Sequence, residues 1–151
     1  MTDLILRSPA FEDGDRIPDR YGYTEENINP PLTIEGVPAE SASLVLIVDS
    51  PNPSSSRKDV WNHWLVWDIP PTLEEIPEGW DPEQATEGQN DFGEHGYGGP
   101  NPTGQEQTYR FRLYALETTL GLPSVTEKEE LVDAVVGNIL DKTRLEGTAA
   151  P

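Results

Sequence analysis

Apolar and polar residues alternate along this chain in short, turn-bounded stretches, which is the periodicity of strands rather than of helices. Leu4-Ile5-Leu6 predicts a first strand, ended by Ser8-Pro9, and Leu32-Thr33-Ile34 a short second one closed by Glu35-Gly36. Residues 12–31 between them are rich in turn formers, with Asp13-Gly14-Asp15, Pro18 and Asn29-Pro30-Pro31. Ser43 to Asp49 is almost continuously apolar and rich in β-branched residues, as in a strand buried on both faces; Pro51 and Pro53 end it. Val60 to Ile69 predicts another central strand. At a strict period of 2, Trp61, His63, Leu65, Trp67 and Ile69 share one face and Asn62, Trp64, Val66 and Asp68 the other. Residues 108–116 alternate most cleanly, with Tyr109, Phe111, Leu113 and Ala115 inward and Arg110 and Arg112 outward.

One helix is expected. Ser124-Val-Thr-Glu127 has the spacing of a capping box, and Leu131, Val132, Val135, Val136, Ile139 and Leu140 then recur as one helical stripe. Gly137 falls inside that stripe. An interior glycine costs about 1 kcal/mol against alanine, so close packing is expected to offset it. Residues 145–151 read as frayed. Together the elements predict a mainly β fold: an antiparallel, two-sheet β-sandwich with one C-terminal α-helix, in a single domain over residues 1–151.

Composition narrows the function. Leu, Ile, Val and Phe make up 34 of 151 residues, just above the roughly 20% below which chains tend to stay disordered. The longest apolar run, Leu44 to Val48, is far short of the roughly 20 residues of a membrane span. Met1-Thr2-Asp3-Leu4 lacks a secretory pattern, so a cytoplasmic location without membrane insertion is expected. Cysteine is absent, which removes disulfides, thiolate metal sites and cysteine nucleophiles. The chain has 28 acids and 10 bases, a net charge of −18, which disfavours nucleic acid and anionic bilayers as partners. Spread acid with only three lysines is similar to proteins of salt-loving archaea, where concentrated salt shortens the Debye length to a few Å and screens self-repulsion.

The chemistry concentrates in three places. Residues 81–107 hold six Gly, three Pro and no apolar run. A loop that long is usually functional or disordered, and its glycines could bring backbone N–H groups close to an anion; the plain alternative is a surface loop. His63 sits among apolar neighbours, as a core histidine or as a ligand-binding one. Asp49 ends one central strand and His63 opens the next, so the Ser50–Asp59 turn could bring carboxylate and imidazole to the same rim. A metal site from His63, His95, Asp49 and Asp91 is not expected, because metal affinity needs preset geometry and His95 lies in a glycine stretch.

The ordered segments Ser8-Pro9-Ala10-Phe11, Asn29-Pro30-Pro31-Leu32, Asp49-Ser-Pro-Asn-Pro53, Trp61-Asn-His63-Trp64, Gly88-Gln-Asn90-Asp91-Phe92-Gly93, Gly96-Tyr97-Gly98-Gly99-Pro100 and Tyr109-Arg-Phe111 are collinear with one family. The chain resembles the phosphatidylethanolamine-binding protein family, in its bacterial and archaeal Raf-kinase-inhibitor-like branch. That resemblance implies a two-sheet sandwich with a small anion pocket at one rim. It maps the pocket onto Asp49, His63, Gly98, Gly99, Pro100, Gln107 and Tyr109. The family's Asp-Pro-Asp-x-Pro motif, set on Asp49, loses its second Asp to Pro51. Its His-Arg pair falls on Gln107-Thr108.

The function expected on this basis is a non-enzymatic protein binding a small anion or phosphorylated small molecule, with a regulatory or inhibitory role and no cofactor. The alternatives are an interaction scaffold with a vestigial pocket and a hydrolase using Asp49 and His63. A protein partner is left open, as is the choice between monomer and homodimer. The acidic composition carries its own prediction. Circular dichroism should show structure lost in salt-free buffer and restored by molar KCl; complete folding without salt contradicts halophilic adaptation.

Overall fold

The computed structural model describes residues 3–51, 60–102 and 105–151. Its strands are β1 (Ile5–Arg7), β2 (Leu32–Glu35), β3 (Ser43–Pro51), β4 (Val60–Ile69), β5 (Glu75–Ile76), β6 (Thr86–Glu87), β7 (Gln107–Leu116) and β8 (Ile139–Ala149). One α-helix, α1 (Lys128–Val135), lies between β7 and β8, and a single 3-10 turn spans Asp19–Tyr21. All strand pairs are antiparallel: a small sheet runs β1-β2-β5 and a large one β6-β4-β3-β7-β8. The expected sandwich with one helix is therefore present. Asn52, Pro53, the Ser54–Ser56 run and the rest of the turn through Asp59 lie outside the described residues.

β3 is the axis of the fold. Its residues from Ser43 to Ser50 are all buried, because each face meets a separate apolar layer. Leu44, Leu46 and Val48 face the small sheet with Trp64, Val66, Phe111 and Leu113. Val45 and Ile47 face the other way, packing with Leu65, Trp67, Leu131 and Val135 under the helix. An eight-residue helix is too short to persist alone in water. Burying Leu131 and Val135 contributes about 1.5–3 kcal/mol each, so docking rather than propensity holds α1 in place.

The predicted alternation of β4 is corrected at two β-bulges. The register against β3 slips between Val48/Asp49 and between Leu44/Leu46. Each bulge sets two residues against one and reverses which side the following residues face. His63 consequently lies on the sandwich side with Trp64 and Val66. Leu65 and Trp67 face the helix, and Ile69 returns to the sandwich. Neither bulge carries a glycine. The second is built on Asp68, whose φ of +56° is one that Asp tolerates better than most residues. Its carboxylate accepts the N–H groups of Leu120 at 2.7 Å and Gly121 at 2.8 Å.

The C-terminal third differs more from expectation. Helix α1 begins at Lys128 with no side-chain cap, so Ser124 and Glu127 do not form a capping box. The helix ends before Gly137, whose φ of +96° turns the chain into β8 and which packs against nothing. Ile139 and Leu140 belong to that strand, and residues expected to fray are its second half. Of its inward positions, Leu145, Gly147 and Ala149, the last two are small and weakly apolar, which hides the strand period. Residues 13–17 cover this half of β8: Gly14 N–H donates to Glu146 O, Ile17 N–H to Thr148 O, and Thr148 N–H to Asp15 O.

The Asp68 bulge generates a test. Asp68→Asn should change stability by less than about 1 kcal/mol, whereas Asp68→Val should cost about 2–3 kcal/mol through backbone strain and two unmet N–H groups. Urea unfolding checks this; a Val variant as stable as wild type contradicts the assignment.

Candidate functional site

The bulge that redirects His63 also builds the rim around it. The imidazole is 3% exposed. Its Nδ1 lies 2.8 Å from the Gly98 carbonyl oxygen, which can only accept, so Nδ1 carries the proton. In return, Gly98 N–H donates to the His63 carbonyl at 2.8 Å. Nε2 is then a lone pair and accepts from Ser50 Oγ–H at 3.3 Å. Burial pushes the His63 pKa down to about 4, against weaker opposing effects of the Gly98 and Gly99 carbonyls and of Asp49 and Asp91. The ring is neutral at neutral pH.

Around it stand aromatic rings. Tyr109 meets His63 edge-on at 5.1 Å between centroids, and Phe92 contacts both His63 (5.7 Å) and Trp61 (5.4 Å). Tyr23 stacks on Phe92 at 3.8 Å. Two donors here are buried with no acceptor for their protons, the Tyr109 hydroxyl, whose oxygen faces the Asn101 backbone N–H, and Trp61 Nε1–H. Burial also raises the Tyr109 pKa to about 12, so the phenol keeps its proton. Gln107 opens β7 two residues before Tyr109 and is half-buried.

The glycine-rich segment is not structureless. β6 pairs with β4, and Gln89 bridges His95. Asn90, buried and named in sequence only as part of a motif, organises the turn. Its Oδ1 accepts from Phe92 and Glu94 N–H, and its Nδ2 donates to Gly96 O. This wiring changes the expected anion nest. Gly98 N–H is committed to His63, Gly99 N–H donates to Asn27 Oδ1 at 2.8 Å, and Pro100 has none. A Cβ on Gly99 would stand 2.0 Å from the Tyr21 carbonyl oxygen, so this glycine serves close packing of the wall rather than ligand approach.

Asp49 is the second correction. It shares the parity of Val45 and Ile47, so its carboxylate lies on the helix side of the sheet, opposite His63. There it is fully buried, bound by Arg110 Nε at 2.9 Å, by Lys128 Nζ at 2.7 Å and by Arg112 Nη2. Burial alone would raise its pKa, but Lys128 and the two guanidiniums outweigh burial and hold it below the usual range. Arg110 and Arg112 are therefore not free solvent-facing groups. Sequence parity along Val45, Ile47 and Asp49 held this signal, since only the residue after Asp49 can share a face with Val48 and reach the rim. That residue is Ser50. Sliding the family motif by one matches Pro51 to its first Pro and places Ser50 where the pocket acid stands.

Among the described residues no cluster of three or more His, Cys, Asp or Glu could hold a metal, and no helix is long and apolar enough to cross a membrane. Comparison with known proteins adds the lineage. A profile of the phosphatidylethanolamine-binding proteins matches residues 7–150. A UPF0098 protein of Methanothermobacter thermautotrophicus is 44% identical over 149 residues, covering 95% of this chain and 97% of its own. The crystal structure of a phosphatidylethanolamine-binding protein homologue from Chlamydia trachomatis is 36% identical, covers 99% and 98% of the two chains, and superposes with a TM-score of 0.92. E. coli YbcL, at 24% identity and a TM-score of 0.87, shares the fold. The chain belongs to the phosphatidylethanolamine-binding protein family.

The buried neutral imidazole has a measurable consequence. Its folded pKa of about 4 lies below the unfolded value near 6.5, so the unfolded chain binds the proton first. The stabilisation is complete above the unfolded pKa and is lost as pH falls towards the folded one, by about 3 kcal/mol in all. Urea unfolding across that window, wild type minus His63→Gln, should show this slope. A flat difference means the imidazole is not held neutral.

Proposed function

From its place in the phosphatidylethanolamine-binding protein family, we propose that this chain is a non-catalytic, regulatory binding protein. Its rim pocket takes a small oxyanion that brings a proton of its own, with inorganic phosphate or a phosphate monoester in the singly protonated form as the type ligand. One observation carries this reading: His63 spends its N–H on Gly98 and presents only the Nε2 lone pair. A fully deprotonated anion would meet that lone pair unfavourably. A P–OH group donates to it instead, freeing the Ser50 hydroxyl to donate to a phosphate oxygen. The unpartnered Tyr109 and Trp61 donors and the Gln107 amide are the remaining groups suited to oxyanion binding.

Ser50 and His63 also have the outline of a nucleophile and base, with the Gly98 carbonyl orienting the ring. Two facts weigh against hydrolysis. An imidazole of pKa about 4 is a weak base at neutral pH, where general bases work best near the operating pH. The Gly98 and Gly99 N–H groups, the natural oxyanion donors, are already committed. The same commitment favours a second reading, a scaffold whose pocket is vestigial.

Isothermal titration of a phosphate monoester on either side of its second pKa, where it loses its one P–OH, tests the proposal. Wild type should bind with saturable heats that strengthen at the lower pH, and His63→Ala should weaken binding by about tenfold or more, as expected for loss of a buried polar partner. Equal heats in both proteins remove His63 from the site, and no heat from wild type supports the scaffold reading.

A further inference from the structure

The apolar stripe that runs from Leu131 to Leu140 is half used by the fold. Leu131 and Val135 point into the core, while Val132 is 36%, Val136 64%, Ile139 37% and Leu140 37% exposed. These are four of the five exposed large apolar residues among the described residues. They gather on one side of the large sheet. Ile139 stands opposite Leu116, which packs under the helix, so Ile139 faces the helix side. The register then slips, and Leu140 lies two residues before Lys142, which stands opposite Tyr114 on that same side.

Backbone chirality fixes how this strip lies. α1 runs alongside β7, from Lys128 at Asp49 to the turn that brings Ile139 opposite Leu116. Leu65 faces the helix, and its carbonyl accepts the Gly88 N–H on the β6 side. For L-residues this sets β8 on the left of a view along β7 with the helix above. A right-handed helix turns clockwise as it recedes, about 100° per residue. Val132 and Val136, one step past the buried Leu131 and Val135, therefore lie on the left flank, towards β8. The strip has two unlike borders, all of them exposed. Glu129 and Asp133 form the crest of α1 on one side, with Glu127 and Glu130 turned to the far flank. On the other side β8 presents Lys142 and Arg144, the latter shared with Glu146 at 3.2 Å.

We propose that this strip is the self-contact of a homodimer, in which two copies meet face to face about a two-fold axis running along the strip. Such an axis lays the apolar residues of one copy on those of the other. It also sets the acidic crest of each copy over the basic edge of its mate. A partner charged with one sign would be repelled by one of the two borders, whereas a second copy is complementary to both. The residues involved are far fewer than the about 20–30 a side of a standard interface, so the dimer is a reversible one. Salt screens the long-range repulsion between two chains of charge −18 and leaves the apolar contact in place. The strip lies on the helix side of the sheet and the His63 ring on the sandwich side, so the dimer leaves the rim pocket open.

Sedimentation velocity from micromolar to near-millimolar protein tests this, in KCl sufficient for complete folding. Wild type should pass from monomer to dimer as concentration rises. Val136→Glu/Leu140→Glu, at exposed positions, should weaken the dimer about tenfold or more, as expected for unpaired charge set in an apolar contact. Asp133→Lys and Lys142→Glu should each weaken it. The double variant Asp133→Lys/Lys142→Glu should restore association, because the two borders then exchange signs together. Should the apolar variant lose structure by circular dichroism, the charge swap decides. A wild type that stays monomeric throughout leaves the strip to another kind of partner and overturns the proposal. A dimer unmoved by the folded apolar variant puts the contact elsewhere, and a swap that fails to restore association rejects the axis; either result overturns it as well.

Discussion

A fully buried carboxylate binding three cations ties the large sheet to its helix. Asp49 joins β3 to β7 through Arg110 and Arg112 and to the first turn of α1 through Lys128. Stripping two or more charges of water costs several kcal/mol each, and the attraction repays this only when the geometry is good and every partner is present. Removing the carboxylate would leave three cations facing one another around a dry centre. The first turn of α1 and the two arginines of β7 are drawn to one point by that arrangement. The chemistry of the rim follows from it as well, because a carboxylate held on one face of β3 leaves the adjacent Ser50 to face the imidazole on the other.

The two faces of one strand end therefore perform different tasks. On the helix side, charge is concentrated and neutralised in part. On the sandwich side, a neutral imidazole is held by a carbonyl and a hydroxyl among aromatic rings. Mean charge says little about either: the −18 of the whole chain describes its loops and outer positions.

Strong periodicity made the central strands legible. Residues 43–49 and 109–115 lie where their apolar pattern places them, because most inward positions are large and apolar and each register is set by buried layers. What stayed hidden has physical causes. The bulges at His63 and Asp68 carry no glycine or proline, so strict alternation misassigned the faces of β4 and paired His63 with the wrong neighbours. The second half of β8 uses Gly147 and Ala149 inward, and Val132, Val136, Ile139 and Leu140 mimic one helical stripe although a turn at Gly137 divides them between two elements. His63 stood out by its place among apolar neighbours, whereas the Tyr109 position and the glycine-proline segment were found through family resemblance, which records spacing but not which way a side chain points. Asp49 was placed at the rim by its strand-end position and by its motif, and is removed from it by parity. Asn90 was quoted among the motif residues, but its organising role depends on three hydrogen bonds that close only in the folded turn.

The union of residues 13–17 with β8 has a consequence for how the fold is reached. These hydrogen bonds join residues more than a hundred positions apart, as does Leu4 N–H with the Asp141 carboxylate, at a separation of 137. Closing so long a loop costs chain entropy before any contact offsets it, so a topology dominated by distant pairings folds slowly. Until that closure occurs, β8 and β1 both present open edges, and a concentrated solution offers each of them other copies to pair with. The dense acidic charge then acts as a kinetic guard, keeping half-folded chains apart while the slow step completes.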